Sequence, residues 1–142
     1  MRFETEQDRI NEYRIMDCFS CGHPFKKLGN HDVDFVVPGR CYVEIKAKKF
    51  RHDKYPAQLI SLIKIVKLQE RSRELPAFLV FGFTDCILYI KVEDIKGYVK
   101  WSGRKQRKGA TNDRELCLFI DVNNMTKMPI NYELIDSDNQ LK

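Results

Sequence analysis

Two acidic residues and a lysine are predicted to share one face of a β-hairpin. Residues 31–37 and 41–48 alternate in polarity as β-strands do, and a Pro-Gly-Arg turn separates them. A three-residue loop places Asp34 directly opposite Glu44, with Cβ atoms about 4.5–5.5 Å apart. Lys46 follows on the same strand face, because side chains alternate with a period of two. A two-residue loop would instead pair Asp34 with Val43, whose side chain points to the buried face. The register therefore decides whether the two carboxylates meet.

Two carboxylates at this distance repel each other unless a cation lies between them. Hard carboxylate oxygens suit Mg²⁺ or Mn²⁺, whose remaining positions are filled by water and substrate phosphate. Such an ion lowers the pKa of a bound water, and Lys46 is placed to hold that water and help deprotonate it. The alternative is an ordinary solvated strand face that carries Glu44, Lys46 and Lys48.

A further carboxylate comes from the first predicted helix, over residues 5–19. Glu12 is followed by apolar residues three, four and seven positions later, so it begins an apolar stripe on one helical face. This placement predicts that Glu12 reaches the metal through water or joins a second metal, and the alternative is a helix-surface acid. Asp32 shares the strand face of Asp34 and is the rival ligand. We favour Asp34 because it pairs with Glu44.

The elements that position these residues alternate between helices and strands. Residues 53–73 are predicted to form a second helix, with Asp53 as its N-cap and Pro56 in its first turn. Its predicted buried stripe consists of Leu59, Leu62, Ile63 and Val66, widened by Ile60, Ile65 and Leu68. Lys64 interrupts this stripe, and either a position facing the site or snorkelling explains it. Further strands are predicted over 25–28, 77–83, 86–92 and 116–122. The order predicts an α/β or α+β domain with a mixed central sheet flanked by helices.

The segments Val33–Val37 and Glu44–Lys46 resemble the active-site signature of the PD-(D/E)XK nuclease superfamily. An acid on a first helix, a hairpin that carries both motifs, and then a helix and further strands resemble its restriction-endonuclease-like αβββαβ core over about residues 4–92. The chain length and Gln58 are most similar to the small Holliday-junction-resolvase-like and phage-type branches. Val33 departs from the pattern, because many members have proline there.

The resemblance implies a Mg²⁺- or Mn²⁺-dependent deoxyribonuclease, an endonuclease that hydrolyses DNA phosphodiester bonds and that selects branched substrates as resolvases do. The implied catalytic residues are Glu12, Asp34, Glu44, Lys46 and Gln58, and the implied metal ligands are Asp34, Glu44, Glu12 and the Ile45 carbonyl. Resolvase-like members commonly work as symmetric homodimers, although the sequence shows no dimerisation seam. An exonuclease, RNA as the substrate, a non-catalytic nucleic-acid-binding module with the same fold and a basic scaffold for protein partners stay open as alternatives.

Positive charge is concentrated in two short segments, whereas the net charge of the whole chain is only +5. Residues 40–54 carry six bases and two acids, and residues 96–108 carry six bases and no acid. Such segments predict a polyanion-binding face, most commonly for nucleic acid, and the alternative is two solvated loops. The candidate contacts are Lys48, Lys49, Arg51, Lys54, Trp101, Arg104, Lys105, Arg107 and Lys108. Residues 101–114 are predicted to form a polar loop. Trp101 either stacks on a base or, as we expect, packs at the base of this loop.

Composition excludes several classes of protein. The 142 residues are 43% hydrophobic, which predicts one folded domain over residues 1–142, with the basic loop 96–114 and a C-terminal strand appended to the core. The longest apolar run, 77–83, is too short to cross a bilayer, and the acidic N-terminus is no secretion signal. We therefore expect a cytoplasmic protein, of cellular or phage origin. The five cysteines predict free thiols; Cys18-x-x-Cys21-x-His23 has a zinc-like spacing but lacks a second ligand pair.

Overall fold

The computed structural model describes residues 5–102 and 115–128. The helices and strands are α1 (Glu6–Phe19), β1 (Lys26–Lys27), β2 (Phe35–Val37), β3 (Cys41–Ala47), β4 (Ala57–Ser61), α2 (Leu62–Arg71), β5 (Ala77–Gly82), β6 (Ile87–Lys91), β7 (Tyr98–Ser102), β8 (Glu115–Asp121) and β9 (Thr126–Lys127). Short 3₁₀ helices span Val92–Asp94 and Val122–Asn124. The predicted mixture of helices and a mixed sheet is confirmed.

Six strands form the central sheet, in the order β1-β2-β3-β5-β6-β9. Strand β3 is internal: it pairs antiparallel with β2 on one side and parallel with β5 on the other. Parallel neighbours need a crossover connection, and β4 and α2 form it. Strand β4 leaves the central sheet and pairs with β8, which pairs with β7, in a second antiparallel sheet.

Helix α1 begins where its cap residues predict. The Thr5 side chain accepts a hydrogen bond from the Asp8 N–H, and the Asp8 carboxylate accepts one from the Thr5 N–H, which together form a capping box. The helix buries Ile15 and Met16 against the central sheet. It ends before Cys21, whose φ of 54° is incompatible with continuing an α-helix. The prediction of this helix from the sequence is confirmed.

The hairpin formed by β2 and β3 has the predicted register. Phe35 pairs with Val43, and Gly39 in the turn has a φ of 74°, which favours glycine. Strand β2 begins at Phe35, four residues later than predicted, so Asp34 lies immediately before the strand rather than within it. Continuing the observed register by one residue brings Asp34 opposite Glu44, as the three-residue loop predicts.

The predicted helix over 53–73 is wrong in its first half. Ala57–Ser61 is strand β4, and only Leu62–Arg71 is helical, so Asp53 caps no helix and Pro56 precedes a strand. A short apolar run fits either a buried strand or a buried helix, and its own periodicity cannot decide between them. The partner strand β8, distant in sequence, decides it.

The buried stripe predicted for that helix is wrong at Ile63 and Val66 but correct at Ile60, Ile65 and Leu68. Ile63 and Val66 are 62% and 47% exposed, whereas α2 buries Ile65 and Leu68. Leu59 and Leu62 are half-buried, and Ile60 is buried from β4. Because Ala57–Ser61 form a strand, α2 begins only at Leu62. The face of α2 that packs against the sheet is the one that carries Ile65 and Leu68.

Two apolar clusters cover the two faces of the central sheet. One contains α1 residues together with Val43, Ile45 and Val80, and the other contains Ile65 and Leu68 of α2. All five cysteines are free thiols, as predicted. In the part of the chain that the structure describes, neither helix combines the length and the apolar character needed to cross a membrane.

Candidate active site

Asp34 lies where β2 and β3 diverge. Its Oδ2 accepts a hydrogen bond from the Ile45 main-chain N–H at 2.8 Å. The side chain thus satisfies a β3 donor just before β2 begins, and this bond holds the carboxylate against β3. The Ile45 carbonyl belongs to the same residue of β3. The hairpin therefore contains three of the four metal ligands that the resemblance implies, and their role stays a prediction.

Glu44 is a buried carboxyl group, with 1% of its surface exposed. Burial is the main cause that raises its pKa, and the neighbouring Asp34 raises it further. Lys64 and Lys46 act in the opposite direction, and the resulting pKa is about 7. Its Oε1 has no hydrogen-bond partner among the described residues. A buried carboxyl in this condition is typical of a functional site, because an ordinary structural acid would have a partner for each oxygen.

A cleft of about 320 Å³ opens beside this pair. Glu12 of α1, Asp34 and Lys46 of the hairpin, and Lys64 of α2 all line it. Glu44 is buried against this lining, in contact with Asp34 and with its Oε2 3.5 Å from the Lys64 Nζ. Three separate elements therefore bring charged side chains to one small volume.

Glu12 lines the cleft and forms an ion pair with Lys27 of β1. The Glu12 Oε1 and the Lys27 Nζ are 3.0 Å apart, and the lysine ammonium also lies 5.1 Å from the centre of the Phe35 ring. The structure thus brings Glu12 to the predicted cleft, and its role there stays a prediction. Lys27 was not predicted as a site residue, because only the fold brings β1 next to α1.

Lys64 belongs to the cleft rather than to the solvated surface. The sequence left open whether it faces the site, and its contact with the Glu44 carboxylate answers that question. Its position in the first turn of α2, directly after β4, directs it toward β3. The signal in the sequence was the single cation within an otherwise apolar stretch.

Asp32 also lines the cleft, but it has a strong partner. The Arg71 Nε donates to its Oδ1 at 2.9 Å, and the second guanidinium nitrogen contacts its Oδ2. This hydrogen-bonded pairing lowers the pKa of Asp32 below its usual value. Arg71 also packs over the Tyr42 ring, 4.9 Å from its centre, and reaches Glu74. Asp32 is therefore tied into an ion-pair network at the edge of the cleft.

Gln58 is not where the sequence predicts it. It lies within β4 rather than near the start of a helix, it is buried, and it is not part of the cleft lining. Its Nε2 has no hydrogen-bond partner among the described residues. Lys46, by contrast, lines the cleft and is half-buried.

The first basic segment, residues 40–54, includes β3 and most of the loop that follows it. Lys48 is half-buried, and burial together with the charge of Lys46 lowers its pKa. Lys49 is exposed, whereas Arg51 forms ion pairs with Asp53 at 3.2 Å and Asp85 at 3.5 Å. Part of the predicted positive charge is thus neutralised locally.

Lys54 and Trp101 present exposed aromatic and cationic surface. The Lys54 Nζ lies 5.4 Å from the centre of the Phe50 ring. Trp101 belongs to β7 and is 57% exposed, so the expectation that it packs at the base of a loop is wrong, and the predicted loop 101–114 starts inside a strand. The predicted contacts Arg104, Lys105, Arg107 and Lys108 lie outside the described residues.

Comparison with known proteins agrees with this geometry. Residues 1–128 match the family model described as phage putative PDDEXK endonuclease. The fold is similar to that of Hjc, a Holliday junction resolvase from the archaeal hyperthermophile Archaeoglobus fulgidus, with a TM-score of 0.53. The match covers 92% of this chain and 93% of that chain at 12% sequence identity, so it shows a common restriction-endonuclease-like fold. No curated protein matches the chain.

Proposed function

The chain belongs to the phage putative PDDEXK endonuclease family, and on this premise we propose that it is a divalent-metal-dependent DNA endonuclease. Asp34 and Glu44 hold the ion. The observation that carries the proposal is the buried Glu44 carboxyl, in contact with a second carboxyl and with its pKa raised to about 7. Both features are relieved when a cation binds between the two groups.

The donors fit Mg²⁺ or Mn²⁺. Two carboxylates and the Ile45 carbonyl are hard oxygen ligands. The Oε1 of Glu44 has no hydrogen-bond partner among the described residues, so it is available to bind a metal ion. Glu12 faces the same cleft and would contribute through water. Among the described residues, no sulfur or imidazole ligand lines this cleft, which disfavours softer metals.

Each charged group in the cleft has a separate task. When bound, the ion would supply Lewis acidity toward the scissile phosphate and make a nearby water more acidic. Lys46 orients that water and stabilises negative charge as the bond to phosphorus forms. Lys64 balances the charge of Glu44 from the other side, and the basic segment after β3 contacts the DNA backbone.

The substrate proposed is branched DNA. The fold is similar to that of a Holliday junction resolvase, which supports testing a four-way junction first. A junction presents two strands for cleavage, so two copies of the chain are the assembly proposed to act on it. The enzyme is proposed as a single nuclease domain over residues 1–142 that acts in the cytoplasm, where phage DNA is present.

Cleavage assays test the proposal directly. The protein is incubated with a four-way junction, duplex DNA, single-stranded DNA and the matching RNAs, in Mg²⁺, Mn²⁺ or a chelator. We expect cleavage of DNA that needs metal, that is lost in Glu44→Gln and that persists in Glu70→Gln, a matched change on the exposed surface of α2.

Cleavage that survives Glu44→Gln or needs no metal contradicts the proposal. Salt-sensitive DNA binding with no turnover of any substrate supports the non-catalytic module instead. If the protein cleaves RNA but not DNA, the proposed metal centre stands and the proposed substrate is wrong.

A further inference from the structure

A second group of metal-binding side chains lies outside the cleft. His52, on the loop after β3, approaches Asp85 and Cys86, which lie at the turn that joins β5 to β6. One nitrogen, one oxygen and one sulfur atom of these residues lie within 4.8 Å of one another. None of the three residues lines the catalytic cleft. Across residues 5–102 and 115–128, no other set of three or more His, Cys, Asp or Glu side chains gathers ligand atoms this closely.

We propose that His52, Asp85 and Cys86 form a zinc site, separate from the catalytic metal centre. The donor set is mixed: an imidazole, a carboxylate and a thiol. Zn²⁺ accepts all three ligand types, whereas Mg²⁺ avoids sulfur. Three protein ligands leave one tetrahedral position for water.

The two polar ligands are already held in place. The His52 Nδ1 lies 2.5 Å from the Asp85 Oδ2, and the other oxygen of Asp85 accepts the His52 main-chain N–H at 2.9 Å. The second bond fixes the orientation of the carboxylate, as hydrogen bonds around ligating groups commonly do. An ion bound by both atoms would take the place of their direct contact, and the hydrogen between them would leave to solvent as a proton.

An ion from solution can reach the site, where it must displace the thiol proton of Cys86 and compete with a neighbouring positive charge. The side chains of His52 and Asp85 are 29% and 18% exposed, whereas Cys86 is buried beneath them. Burial raises the pKa of Cys86 to about 11, so zinc must displace the thiol proton. The Arg51 guanidinium, 3.5 Å from Asp85, is the positive charge that the ion competes with.

Zinc at this position would clip two segments together. The Thr84 N–H already donates to the Phe50 carbonyl at 3.1 Å, so the loop after β3 lies against the β5–β6 turn. An ion between His52 and Cys86 would add a second connection between the same two segments. The basic loop that leaves the catalytic strand is thereby fixed at its midpoint.

Metal binding is measured on the whole protein without DNA, so the result does not depend on the proposed nuclease activity. The protein is freed of metal, dialysed against Zn²⁺ and analysed for bound zinc. In parallel it is titrated with Co²⁺, whose thiolate charge-transfer band reports sulfur ligation. The variants are His52→Ala, which is partly exposed, and Cys86→Ser. The matched controls are the double variant Cys18→Ser/Cys21→Ser and the cleft variant Glu44→Gln.

We expect one tightly bound zinc ion and a thiolate–cobalt band in the wild-type protein and in both controls. His52→Ala and Cys86→Ser are expected to weaken binding by about 100-fold or more, because even hydrogen-bonding partners of metal ligands contribute about 10–100-fold. Cys86→Ser removes the cobalt band. The proposal is overturned if the wild type binds no stoichiometric zinc, if binding is unchanged in His52→Ala, or if the band is lost in the Cys18/Cys21 variant instead.

Discussion

Asp32 and Asp34 lie two residues apart and line the same cleft, yet their surroundings are opposite. Asp32 has a guanidinium partner in Arg71, and this pairing lowers its pKa. Asp34 lies against a second carboxyl group, and its charge helps to raise the pKa of Glu44. The folded protein stabilises the ionised form of Asp32, whereas the charge of Asp34 destabilises the ionised form of Glu44.

We infer from this difference that Asp32 serves the fold and that Asp34 is the acid to propose for the chemistry. A structural carboxylate gains hydrogen bonds and charge partners when the chain folds. The facing pair of Asp34 and Glu44 gains less: Asp34 accepts the Ile45 N–H and Glu44 contacts Lys64, but the Glu44 Oε1 has no partner among the described residues and the two charges repel. Proteins usually retain such a pair where a bound cation completes it. The four predictions below test this division, in order of decreasing expected effect.

Asp34→Asn should reduce the metal-dependent cleavage rate by about 10²–10³-fold. The loss of a metal ligand removes several kcal/mol of charge stabilisation in the transition state, and each 1.4 kcal/mol corresponds to about tenfold in rate. Asparagine retains an oxygen to accept the Ile45 N–H, so the fold persists. Single-turnover cleavage at saturating DNA measures the effect. A rate within about threefold of wild type would contradict the proposal that Asp34 is a metal ligand.

Raising the pH should destabilise the metal-free protein between about pH 4.5 and pH 7. In the folded state Glu44 has a pKa of about 7, against 4.5 as its ordinary value, so the folded protein binds more protons in this window. Its stability therefore falls as pH rises, by about 2–3 kcal/mol, and levels off above pH 7. Denaturant unfolding in a chelator, at pH 5 and pH 8, measures this. Glu44→Gln should remove most of the difference in the free energy of unfolding between pH 5 and pH 8. An equally large difference in that variant would contradict the assignment of the raised pKa to Glu44.

Lys64→Met should reduce cleavage at neutral pH by about tenfold. The ammonium favours the ionised form of Glu44, and a charged partner of this kind contributes about 1.5 kcal/mol. The apparent affinity for Mg²⁺ should fall at pH 7 and recover at higher pH, where Glu44 ionises without help. A pH series of metal titrations measures both. Lys67→Met, on the same helix but near Asp32, is the matched control and should leave the profile unchanged.

Asp32→Asn should lower the free energy of unfolding by about 1 kcal/mol and change the cleavage rate by less than about twofold. The loss is that of one charge-assisted pair with a partly exposed guanidinium. Because the pKa of Asp32 is lowered, this contribution is present at neutral pH and disappears as pH falls through the lowered value. A double-mutant cycle with Arg71→Gln isolates the pair. A large loss of activity with unchanged stability would reverse the roles of the two acids.

The sequence predicts the parts of the site that depend on local rules. The turn length and the strand alternation are sufficient to bring Asp34 and Glu44 together, since both concern residues near each other in the chain. The first helix is likewise predicted by its own cap and stripe. Local signals of this kind also carry the resemblance to the nuclease superfamily.

The errors occur where a distant segment decides. Strand β4 exists because β8 pairs with it, and nothing within 53–73 reveals that partner. For the same reason, the pairing of Asp32 with Arg71 and of Glu12 with Lys27 could not be predicted. The exposure of Trp101 depends on which face of the second sheet is covered, and the composition of β7 does not specify that.

The two neighbours of β3 join it from very different distances along the chain. A three-residue turn connects it to β2, whereas β5 arrives only after β4 and α2. Hairpins form in about 1–10 μs, and parallel pairs that close long loops form more slowly. We therefore expect that during refolding the two acids meet while both are still in water, and that β5 and α2 remove Glu44 from solvent later. At a pH just below 7, the chain takes up a proton at that late step.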